Sequence, residues 1–167
     1  MSNSAEKAFR LAVQDHLGRL DNLLIPVLSR LAAYKFPAPV VAVDFEVFSD
    51  SFTSQFPARA FFMDNSNSEH FVYVDGKATY PSPVDPELIA LDCVYSQDLE
   101  DEFVAQESEL DPWNIATEEF IPWFSACWDR AGGRSLSLAA TISHHDSIRE
   151  FNLQSGSWQQ RGAAYSS

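Results

Sequence analysis

Two adjoining runs, PWNIATEEFIPWFSACWDRAGG (Pro112–Gly133) and SLSLAATISHHDSIREFNLQSGSW (Ser135–Trp158), decide the fold. Phe120, Phe124, Cys127, Trp128 and Ala131 recur at i, i+4, i+7, i+8 and i+11, which is one face of a helix. Gly132-Gly133 follows and offers the left-handed backbone that ends helices. Pro122 would break a helix interior, so the pattern predicts that the main helical segment opens at Pro122. Ser135–Ser143 then alternates, with Leu136, Leu138, Ala140 and Ile142 on one side, as a half-buried strand does. Phe151 and Leu153, the turn Gln154–Ser157 and Trp158 read as a closing hairpin.

Outward from this unit, the N-terminal side predicts one long helix. Asn3 and Glu6 have capping-box spacing, and Phe9, Val13, Leu17, Leu20, Leu24, Val27, Leu28 and Leu31 continue an apolar stripe. Pro26 is expected to kink or split it. The stripe is also long enough to serve as a homodimer seam. Val40–Phe48 alternates as a strand with one wet face. Arg59–Asp64, His70–Asp75 and Lys77–Tyr80 read as three more strands of an antiparallel meander. Asn65–Ser68 and Asp75-Gly76 supply the turns between them.

Asp85-Pro86-Glu87 has the composition of a helix start, so Leu88–Tyr95 is read as a helix, with a short strand as the alternative. Asp98–Glu109 is a helix with a thin apolar stripe or an acidic loop. Residues 162–167 are small and polar, a tail expected to fray. The expectation is a single α+β domain over residues 1–167. It has an antiparallel sheet of five or six strands, a long N-terminal helix and two or three further helices on one face.

Charge narrows the function. Of the 24 acidic residues, 13 lie between Ala78 and Asp129, where there is no Lys or Arg; outside that window acids and bases number 11 each. Nucleic-acid and anionic-membrane binding need a basic footprint that this chain lacks. No run reaches the roughly 18 apolar residues of a membrane span, and the first residues lack the order of a signal peptide. The expected compartment is the cytoplasm, where Cys93 and Cys127 read as small buried hydrophobes.

The chemical candidates are few. His144-His145-Asp146 could supply metal ligands or acid–base groups, but adjacent strand residues point to opposite faces unless the strand ends there. Asp44 and Glu46 share a strand face and read as solvated. No GxSxG, HExxH, CxxC or phosphate-loop pattern occurs, so no cofactor is expected. The acidic window is the strongest signal. Asp98, Glu100, Asp101, Glu102, Glu107 and Glu109 would face a cationic surface, with Phe103 or Trp113 as anchor.

The runs WFSACWDRAGG (Trp123–Gly133), SHHDS (Ser143–Ser147) and FNLQSGSW (Phe151–Trp158) resemble a group of small bacterial proteins without settled chemistry. In size and acidity the chain is similar to immunity proteins of bacterial toxin systems. The matched residues cover the last third of the chain and are core and turn positions, so the resemblance implies fold and carries over no functional residue. The expected function is therefore a non-enzymatic inhibitor or immunity-type protein that occludes a basic partner such as a toxin. The alternatives are a small metal-dependent or hydrolytic enzyme using His144 and His145, and a structural homodimer through the first helix.

Overall fold

The computed structural model describes residues 4–82, 89 and 91–163. Helix α1 (Ser4–Ala33) is unbroken. Pro26 and the carbonyl it leaves unpaired, on Asn22, both lie on the exposed side, where solvent replaces the lost bond. The same reason corrects the expectation at Pro122. Helix α3 (Pro112–Arg130) runs straight through that position, and Glu118, four residues earlier, is exposed. Its start is Asp111, whose carboxylate accepts the N–H groups of Trp113 (3.0 Å) and Asn114 (3.2 Å), with Pro112 in the first turn. Gly132, at φ +82°, ends it as expected.

The sheet holds five strands: β1 (Ala42–Val47), β2 (Ala58–Met63), β5 (Ala139–His144), β6 (Arg149–Asn152) and β7 (Ser157–Gln160). Their spatial order is β2-β1-β5-β6-β7. The chain is α+β as expected, but the sheet is mixed: β1 and β5 are parallel, with Val43 opposite Ala140 and Phe45 opposite Ile142. A parallel neighbour needs a long crossover, and here it contains α2 (Gln97–Gln106) and α3. The middle is not one continuous meander either. β3 (Val72–Val74) and β4 (Lys77–Thr79) form a separate hairpin through Asp75 (φ +51°) and Gly76 (φ +77°).

The helix expected over Leu88–Tyr95 is absent among its described residues. Ile89 bridges Ala58, and the N–H groups of Val94 and Tyr95 are donated to the carbonyl of Phe52. Apolar side chains there bury without helical backbone: Ile89, Leu91, Val94 and Tyr95 all join the core. The capping Asn3, the start at Asp85-Pro86-Glu87 and the tail beyond 163 lie outside the described residues.

Helices cover one sheet face. Phe45 meets Phe124 at 4.9 Å and Trp128 at 5.7 Å between ring centroids. Seven residues of the α1 stripe, Phe9 to Leu31, are buried in the same core, so the face read as a dimer seam is used within the chain. Two polar clamps fix α3 against α1. Arg10 pairs with Glu118 (2.6 Å) and Glu119 (3.0 Å), and Asp21 accepts from Trp123 Nε1 and from Arg130, both at 2.7 Å. Among the described residues, no helix is long and apolar enough to cross a membrane.

Candidate functional site

The clamped helix α3 forms one wall of a cleft of about 820 Å³. The end of β5 and the β6–β7 hairpin form the other wall. Its apolar lining comes from Ile121, Pro122, Phe151, Trp113 and Trp158. Both tryptophans are substantially exposed, at 44% and 46%, which is unusual for side chains of that size. Asp111, Glu118, Asp129 and Asp146 supply the charge, and none of the lining residues is Lys or Arg. Three of these acids have partners just outside: Arg10 for Glu118, Arg134 for Asp129 (2.6 Å) and His145 for Asp146 (3.1 Å).

Helix α2 carries part of the acidic window and touches this cleft through Glu100, which bonds to Trp113. Ser96 caps it by accepting the Leu99 N–H at 3.2 Å. Asp98, Asp101 and Glu102 are exposed, and Glu107 and Glu109 continue the acidic run in the loop to α3. Two anchor assignments come apart here. Phe103 is only 4% exposed and stacks on Phe9 at 4.4 Å, so it is core and cannot serve as a surface anchor. Trp113 keeps an accessible ring while its Nε1–H is donated to Glu100 at 3.2 Å. Glu100 also accepts the Tyr95 hydroxyl at 2.6 Å, so its carboxylate orients two aromatic side chains. Burial, and then this carboxylate, hold the Tyr95 phenol well above its ordinary pKa.

At the floor, His144 Nε2 lies 2.9 Å from the buried Ser49 Oγ. The pair has the look of a nucleophile and base, but the hydrogen bonds run the wrong way. His144 Nδ1 accepts the Asp146 backbone N–H at 3.3 Å, so the ring proton sits on Nε2 and is donated to Ser49. A base must instead accept the serine proton. Burial first, and then neighbouring His145, keep His144 below its ordinary pKa. The thiol of Cys127 offers no alternative nucleophile, because burial, reinforced by the charge of Asp21, pushes it up to about 12. Asp44 and Glu46 lie on the opposite sheet face, in a groove that no described helix lines. Asp44 accepts from Thr141 Oγ1 at 3.0 Å, and Glu46 pairs with Arg161.

Reading the sequence found Trp113, His144 and the acidic residues of α2, but not their neighbours Ser49, Phe151 and Trp158. Trp158 stands opposite Phe151 across the β6–β7 hairpin, with ring centroids 5.5 Å apart, so their joint place at the cleft was set by the hairpin register. No family model, curated protein or solved structure matches this chain.

Proposed function

We propose that this protein is a non-enzymatic acidic binding module of immunity type, which docks on and occludes a basic protein partner such as a toxin. One observation carries the reading. Helix α2, which exposes Asp98, Asp101 and Glu102, is bonded through Glu100 to Trp113 of a cleft that has two exposed tryptophans and, among the described residues, no cation in its lining. Charge complementarity selects a Lys- or Arg-rich segment of the partner. Carboxylates steer it, and the tryptophan faces hold its cationic side chains. Arg149 already lies over the Trp158 ring at 5.7 Å, a cation–π arrangement within the chain. The binding residues of this reading are Asp98, Asp101, Glu102, Glu107, Glu109 and Trp113, extended by Trp158. Glu100 acts by positioning Trp113.

The test is a nuclear magnetic resonance titration of the full chain with an Arg/Lys-rich peptide, and with an acidic peptide as control. The four indole N–H signals report separately. Those of Trp113 and Trp158 are expected to move with the cationic peptide. Those of Trp123 and Trp128, which are bonded to Asp21 and Gln154 inside the fold, are expected to stay. Shifts confined to the groove at Asp44, Glu46 and Glu150 would refute the assignment.

A further inference from the structure

β5 ends at His144, and the chain turns at once, so His144, His145 and Asp146 escape the alternation that would separate them on a strand. The two imidazole rings lie 4.7 Å apart, and one ligand atom from each of the three residues falls within 4.8 Å of the others. His145 Nε2 and Asp146 Oδ2 are 3.1 Å apart. Two ligands at about 2.0–2.1 Å from one ion stand about 3.0–3.4 Å from each other, between right-angled and tetrahedral geometry. Asp146, whose side chain is 77% exposed, has room to turn its carboxylate between the two imidazoles, and the two rings must themselves adjust to close on one ion.

The surroundings hold His144 as a metal site holds a ligand, and they hold the His145 ring by stacking. His144 spends its Nε2–H on Ser49, a side chain 5% exposed, and its Nδ1 lone pair accepts the Asp146 N–H at a long 3.3 Å, a weak bond that an ion displaces when it binds. A ligating imidazole is oriented in this way by donating its other N–H to a neighbour. His145 stacks on Phe48 at 4.8 Å and 17°, and Arg59 lies 4.4 Å from the centre of the Phe48 ring. Nδ1 of His145 is buried and, among the described residues, has no hydrogen-bond partner; Nε2, beside the Asp146 carboxylate, is the nitrogen that an ion from solvent reaches. That unpartnered Nδ1 keeps the affinity modest.

The geometry points to a mononuclear site for a divalent transition ion at this turn, with His144 Nδ1, His145 Nε2 and the Asp146 carboxylate as ligands. Two imidazoles and one carboxylate suit Zn²⁺, Co²⁺ or Ni²⁺ better than Mg²⁺ or Ca²⁺. His144 and Asp146 line the cleft, so the remaining coordination positions face solvent. The site does not depend on the proposed protein partner.

The experiment is calorimetric titration of tag-free, chelator-treated full-length protein with Zn²⁺, and Co²⁺ absorption spectroscopy alongside. One ion per chain is expected. Asp146→Asn and His145→Gln should each weaken binding at least 10-fold, and Asp98→Asn/Asp101→Asn/Glu102→Asn should leave it unchanged. Asp146 is exposed, so its variant tests ligation without disturbing the core, as circular dichroism will verify. Absence of stoichiometric binding overturns the inference. So does Zn²⁺ binding that survives Asp146→Asn and His145→Gln but weakens in the α2 triple variant.

Discussion

Gly133→Ala adds a single methyl group at the most crowded glycine of the chain. A Cβ there would lie 2.5 Å from Trp128 Nε1, and nearer still to Cδ2 and Cε2 of the same ring. Carbon–carbon contacts are comfortable at about 3.5–4.0 Å, so the indole or the backbone must shift by more than about 1 Å. Trp128 has nowhere to go. It is fully buried, its ring makes a T-shaped contact with Phe45, and its Nε1–H is donated to Gln154 Oε1 at 3.2 Å. Gln154 is itself tied to the carbonyls of Leu136 (2.8 Å) and Leu138 (3.1 Å). Overpacking costs about 1–3 kcal/mol, and stranding a buried donor costs about 1–3 kcal/mol more, giving a central value of about 4 kcal/mol. With a urea slope of about 2 kcal/mol/M, the midpoint falls by about 2 M. Gly132→Ala is the control. Its Cβ meets open space, and only the left-handed φ of +82° costs energy, about 1–2 kcal/mol. Urea unfolding followed by tryptophan fluorescence measures both. The packing argument fails if Gly133→Ala shifts stability by less than about 0.5 kcal/mol, the range of ordinary surface changes, or less than Gly132→Ala does.

Two further outcomes follow from the same contacts. Burial works to raise the Asp21 carboxyl, but the hydrogen bonds from Trp123, Arg130 and Cys127 outweigh it and hold the group below its ordinary 3.8. Its contribution is thus present above that unfolded-state value and lost as pH falls through the folded one. Asp21→Ala should cost about 1–3 kcal/mol at pH 7, allowing for partial exposure, and should flatten the acid limb of the pH–stability curve. An unchanged acid limb counts against the clamp. Phe103→Ala should cost about 3–5 kcal/mol as a core truncation, whereas Trp113→Ala should cost less stability but weaken the cationic-peptide titration. Equal stability losses would return Phe103 to the surface.

Local rules made much of the fold legible. The alternation of Val43, Phe45 and Val47, the Asp75-Gly76 turn and the α1 stripe are decided within a few residues, and each is found where the pattern puts it. The parallel pairing of β1 with β5 is not local: it is set by how α2 and α3 return the chain. Pro122 misled because a proline reads as a breaker unless the exposure of Glu118 and of its own position is known. The true start, Asp111-Pro112, used the same cap grammar noticed at Asp85-Pro86. At the site, the charge of α2 was plain, but burial of Phe103 depends on Phe9, about ninety residues away in sequence. The convergence of His144, His145 and Asp146 depends on where β5 stops.

Affinity capture from the native host, at low and high salt, tests the acidic-flank reading most directly. The bait is the wild-type chain compared with Asp98→Lys/Asp101→Lys/Glu102→Lys. The account predicts a basic protein that binds the wild type, is released by salt, and binds the charge-reversed chain at least 100-fold more weakly. A partner that binds both chains equally, or whose binding is indifferent to salt, would contradict it.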